Sequence, residues 1–173
     1  MLNDPLFPLL LALRYMHILG AIALMGGAVF MRFSLLPSVP ALDPATRAQL
    51  HEQVRSRWSK VVMAAAALLL ISGLTNLALA GRYDFEPILG KEKLYHMLVG
   101  VKFLLALPIF FIASVLAGRS AMAARFQANA RFWLNLNLSL ALIMVLMGGF
   151  LKFVQRQPKP TTIPPAAVNS LLQ

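Results

Sequence analysis

Four apolar runs, at about residues 10–36, 60–80, 93–117 and 131–152, constrain this chain more than any other feature of it. Each has the length that crosses a hydrocarbon core, for which about 20 residues with few charges suffice. Inside that core no water is available to backbone N–H and C=O groups, so a spanning segment must satisfy its own, and a helix does so. The expected fold is all-α: an integral membrane four-helix bundle over residues 1–154. Composition agrees. Only 13% of the 173 residues are charged and mean hydropathy is +0.72, against about 25% charged in soluble domains. Arg14 and Arg32 bracket the first run 18 residues apart, roughly 27 Å of helix.

The connectors carry their own signals. The first run lacks a basic leader and ends in bulky residues and Arg32, which reads as a retained span rather than a cleaved signal peptide. Pro37 and Pro40 are expected to stop it. Asp43 can cap, Pro44 suits a first helical position, and Leu50, Val54 and Trp58 recur every fourth residue. They predict a short amphipathic interfacial helix between spans 1 and 2, running into the second. Residues 81–87 read as a loop and 118–130 as a short basic connector. Pro108 should kink the third span near Leu104. The tail, 155–173, holds Pro158, Pro160, Pro164 and Pro165 without helical period and is expected to be extended or disordered.

The net charge of +10 sits mostly at the ends of apolar runs, where it meets lipid headgroups; a nucleic-acid partner is not expected. Four spans place both termini on one side. With the 81–93 loop, that side holds Arg14, Arg82, Lys91, Lys93, Lys152, Arg156 and Lys159. The opposite side holds one more: Arg32, Arg47, Arg55, Arg57, Lys60, Arg119, Arg125 and Arg131. The positive-inside rule therefore leans toward termini outside the cytoplasm. With no cysteine there is no thiolate metal site, iron–sulfur cluster or c-type haem attachment.

Ionisable groups within spans are the candidates for function. His17 lies three residues past Arg14 and His96 three past Lys93, which predicts equal depth in one leaflet, with Asn76 of the descending second span nearby. Two such imidazoles can ligate one haem iron from opposite faces. Gly20 and Gly27, nearly on the face of His17, would admit either a flat macrocycle or a packed neighbouring helix. Lys102 lies nine residues past Lys93, roughly 13 Å deep and about 240° round the helix from His96. No span contains an acid to pair with it. Unless it snorkels, its counter-charge must come from a ligand, such as a porphyrin carboxylate, and Arg14 and Asn76 are further candidates to orient such a group. Met16 and Met97 adjoin the histidines and suggest copper, although consecutive helical side chains diverge by about 100° and an ammonium repels a bare cation.

Tyr15-Met16-His17-Ile18-Leu19-Gly20, then Gly26-Gly27-Ala28-Val29-Phe30 and Pro37, resembles the opening helix of the CopD-like copper resistance membrane proteins and their HemJ-type protoporphyrinogen oxidase relatives. Gly100-Val101-Lys102-Phe103-Leu104-Leu105-Ala106-Leu107, followed by Gly118-Arg119, looks like their glycine–lysine helix with its basic turn. The resemblance spans roughly residues 10–154. It implies a bacterial inner membrane, and either copper uptake or a b-type haem with porphyrinogen oxidation, for which His17 and Lys102 match the motif types. The expectation is a haem b protein for redox chemistry or electron transfer, with His17 and His96 as axial ligands. Copper transport is one alternative. A cofactor-free structural subunit of a larger membrane complex is the other, and a redox partner is the corresponding expectation for the haem reading. No nucleophile triad, nucleotide loop or carboxylate pair marks a catalytic group.

Overall fold

A computed structural model describes residues 6–80, 83–85, 87–88, 93–153 and 156–158. Helix α1, Phe7–Phe30, passes into a π-helical turn, Met31–Leu35, a short α2, Leu36–Ser38, and a 3-10 turn, Val39–Ala41. Helix α3 is Pro44–Ala80, α4 Leu94–Ala117, α5 Ala121–Ala128 and α6 Ala130–Lys152. Four of these helical stretches are long and apolar enough to cross a membrane. The all-α membrane bundle is therefore what the chain forms. A two-stranded antiparallel ribbon, β1 Tyr83–Phe85 with β2 Arg156–Pro158, ties the start of the tail to the loop between spans 2 and 3. The rest of the tail lies outside the described residues.

Two connectors differ from expectation. Pro37 and Pro40 do not stop the first helix, because the turn before them is widened: the Leu36 N–H bonds to Met31 O, five residues back. An i→i+5 turn leaves space for a ring that would otherwise strike the preceding carbonyl. Helical structure thus continues from Phe7 to Ala41. The segment foreseen as a short interfacial helix is the first part of α3, without a break before the span. Asp43 caps it as its sequence suggests, accepting from the amides of Ala45 at 3.1 Å and Thr46 at 3.0 Å. At 37 residues, α3 is roughly 55 Å long, well beyond the ~30 Å of hydrocarbon. The other unforeseen element is α5. Ser120 caps it by accepting from the Ala123 N–H, and Gln127 turns back to donate to the carbonyls of Leu116 and Gly118 at the end of α4. Those are the carbonyls a helix end leaves without a partner.

Packing follows a ring. Helix α1 lies mainly against α3, α3 against α4, α4 against α6, and α6 closes weakly onto α1, so α1 and α4 occupy opposite corners. The interior centres on Val62, Ala113 and Ala117, with Leu24 and Trp58 packed onto them. Gly20 and Gly27 both face α3. A Cβ on Gly20 would lie 2.9 Å from Leu69 Cγ, and one on Gly27 would collide with the Trp58 indole. Glycine here lets helices approach, the common use of small residues between spans. At the connector end, Glu52 of α3 pairs with Arg55 and reaches Arg119 beyond α4. Residues Pro44–His51 therefore extend past the end of the α4–α6 pair.

Two outcomes are expected. Gly27→Ala should destabilise the detergent-solubilised protein by about 1–3 kcal/mol, the usual cost of overpacking. Adding Trp58→Ala should cost less in that background than alone, as thermal unfolding of the four proteins in the double-mutant cycle would show. Hydrogen bonding from Thr46, side chain first and then backbone, holds the Asp43 carboxyl below its ordinary value. A carboxyl lowered in the folded state stabilises above its unfolded value, about 3.9, and loses that contribution as pH falls through the folded one. Protection of the Ala45 and Thr46 amides from hydrogen exchange, compared with Asp43→Ala at each pH to cancel intrinsic exchange, should lose its wild-type advantage below about pH 4.

Candidate functional site

Ser72 is fully buried on α3 and its hydroxyl donates to Leu68 O at 2.6 Å, one turn back. A hydroxyl has one proton. Once that proton is committed to the carbonyl, Ser72 Oγ can only accept from the His17 ring, whose Nδ1 lies 2.9 Å away. His17 is therefore held as the Nδ1–H tautomer, with the lone pair on Nε2 available. Histidines that bind metals are commonly fixed this way, by a hydrogen bond from the ring nitrogen that the metal does not use. Gly73 leaves the ring edge open: even a Cβ there would stand 3.8 Å from His17 Cε1.

Lys102 is the second member of the site. It is half-buried on α4. Its ammonium reaches toward α6, where Gly148 makes room: a Cβ at that position would lie 3.2 Å from Lys102 Nζ. The two groups also match in depth. His17 lies ten residues into α1 and Lys102 eight into α4, roughly 15 Å and 12 Å from the helix starts. None of the six acidic residues falls in the apolar runs 10–36, 60–80, 93–117 and 131–152. One imidazole and one ammonium thus lie in an interior with no carboxylate among the described residues.

The remaining sequence candidates lie elsewhere. His96 is two residues into α4, exposed, with its ring edge-on to Tyr95 at 5.7 Å. His17 and His96 are not equally far from their helix starts, ten residues against two, because α1 begins at Phe7, seven residues before Arg14. Arg14 is exposed. Asn76 lies one turn from Ser72 toward the end of α3, also exposed. Gly20 and Gly27 are filled by α3 side chains. Met16 is half-buried and Met97 is 58% exposed. No group of three His, Asp or Glu that could hold a metal occurs among the described residues.

Sequence reasoning did not assign Ser72, Gly73 or Gly148 to the site. A usable signal existed for Ser72: His17 is 25 residues before the Leu42–Asp43 turn and Ser72 is 29 after it, nearly level in an antiparallel hairpin. Ser72→Ala should release the tautomer. Nitrogen-15 NMR of ring-labelled protein should show Nδ1 protonated at His17 in the wild type, and a shift toward the Nε2–H form in the variant.

Comparison with protein-family models, curated proteins and solved structures finds no match to this chain.

Proposed function

We propose that this protein is a membrane b-type haem protein serving redox chemistry or electron transfer, with His17 as an axial ligand and Lys102 as the counter-charge for a haem or porphyrin carboxylate. One observation carries the reading: an interior imidazole whose Nε2 lone pair is kept free, and an interior ammonium with no carboxylate partner among the described residues. A charged group in hydrocarbon is costly without a partner. A macrocycle bearing carboxylates offers both groups what they lack, a metal for one and an anion for the other. Haem would supply one-electron chemistry, and the chain would orient it and set its surroundings.

The resemblance of the His17 and Lys102 helices to HemJ-type proteins points the same way and makes porphyrinogen oxidation the oxidoreductase activity to try first. His96, exposed near the start of α4, does not serve as the opposing ligand in this reading. The same site accommodates a bare copper ion less well, since Lys102 would repel it in a low dielectric. A bacterial inner membrane, with both termini outside and the arginine-rich connectors in the cytoplasm, follows from the resemblance and from the slight excess of basic residues there.

The test is the visible spectrum of protein purified in mild detergent with haem in ample supply, oxidised and dithionite-reduced. A b-type spectrum is expected, lost in His17→Ala and retained in His96→Ala. Lys102→Ala should weaken haem retention roughly ten- to hundred-fold, the scale of a charge-assisted hydrogen bond. A spectrum indifferent to His17→Ala would overturn the assignment. A colourless wild type would overturn haem itself. Copper retained through His17 would then favour the CopD-like activity, and copurification with large partners a structural subunit.

A further inference from the structure

At the other end of the bundle a second basic constellation has no acidic complement, and it does not depend on the haem reading. Arg32 sits in the π-helical turn after α1, and its Nε donates to Asn135 Oδ1 of α6 at 2.6 Å. Arg131 lies four residues before Asn135, so both occupy one face of α6, a turn apart. That arrangement brings two arginines to the junction between the end of α1 and the start of α6, where Arg131 is exposed. A guanidinium has five N–H donors. Those of Arg32 beyond Nε, and all of Arg131, enter no hydrogen bond or ion pair among the described residues. The acids on this side are Asp43, committed to the α3 cap, and Glu52, committed to Arg55 and Arg119.

The setting is that of a membrane interface. Arg131 is one residue inside α6 and Asn135 five, roughly 2 Å and 8 Å from the helix start. The Arg32 guanidinium lies over the Phe33 ring, 5.2 Å from its centroid, and Phe33 and Phe132, next to Arg32 and Arg131 in sequence, are 63% and 61% exposed. Aromatic rings at this level suit the boundary between acyl chains and headgroups. The widened turn has a consequence here as well: its extra residue changes the direction in which Arg32 leaves the helix, and such turns recur at functional sites. Paired guanidinium groups match the tetrahedral oxygens of a phosphate better than lysines would.

We infer that Arg32 and Arg131 form a binding site for the phosphate headgroup of an anionic phospholipid at the junction between α1 and α6, with Asn135 positioning Arg32. The lipid's chains lie along the exposed α6 surface below it. The occupant is a lipid rather than a soluble phosphate, because the junction lies at the bilayer boundary beside exposed aromatic rings.

The experiment is native mass spectrometry of the full chain in mild detergent, titrated with equal amounts of phosphatidylglycerol and phosphatidylcholine. The wild type should retain phosphatidylglycerol with roughly ten-fold preference, within what two basic residues at an anionic surface supply. Arg32→Gln with Arg131→Gln should fall near parity. Arg57→Gln with Lys60→Gln removes the same charge from exposed positions on α3 and should keep the preference. Circular dichroism and the unfolding temperature check that all variants fold. Asn135→Ala, with both arginines intact, should weaken the preference and serves if the double variant does not fold. Equal retention of both lipids by the wild type would overturn the inference, as would equal losses in the two double variants. Displacement of phosphatidylglycerol by millimolar glycerol phosphate would also overturn it, by showing a soluble-phosphate site.

Discussion

The seating of the Trp58 indole against Gly27 sets the register of α1 on α3, and the site at the other end of that hairpin depends on it. Ten residues separate Gly27 from His17 and fourteen separate Trp58 from Ser72, so an error of one turn at the first contact would be carried to the second. One turn is about 5.4 Å. It would set His17 against Leu68 or Asn76, leaving its ring with an apolar neighbour or an exposed amide. In hydrocarbon no hydrophobic force drives helices together, and close packing has to serve instead. A notch that accepts one large aromatic ring does so with little freedom to slip. Gly20, closed by Leu69 and Ala65 at a second point, holds the hairpin over the rest of its length.

A chain of dependence then runs from packing to chemistry. Ser72 gives its proton to its own helix, His17 gives its Nδ1 proton to Ser72, and Nε2 is left without a hydrogen-bond partner among the described residues. Lys102 arrives from the opposite corner of the bundle, since α4 lies across from α1. Both helices leave from the same end, and each carries its basic residue eight to ten positions in. Burying two such groups without an acid is unfavourable by itself. That cost is the ground on which a ligand bearing both a metal and a carboxylate is proposed. The arginine pair near Asn135 repeats the logic at the membrane boundary, where lipid supplies the anion.

Much of the architecture was legible because hydrocarbon admits few solutions: the apolar runs, the Asp43 cap and the intramembrane Lys102 all follow from residue type and spacing. What was not legible depends on tertiary geometry. Pro37 reads as a stop in any local scheme, and only the widened turn at Met31–Leu35 lets the helix pass it. The depth of His17 was judged from Arg14, but a long basic side chain can reach an interface from well inside a span, so Arg14 marks no helix start. Ser72 looked like one more small polar residue in an apolar run. Its role appears only when α1 and α3 are laid side by side, and Gly148 likewise matters only because α4 brings Lys102 to it.

The claim on which the haem reading rests is that His17 faces Lys102 across the bundle and not His96. The chain has no cysteine, so pairs of introduced thiols can be joined by a short bifunctional reagent in native membranes and located by mass spectrometry. His17→Cys with Lys102→Cys should cross-link, and His17→Cys with His96→Cys should not. The reverse pattern would contradict the account, returning the two histidines to one level and removing the basis for pairing His17 with Lys102.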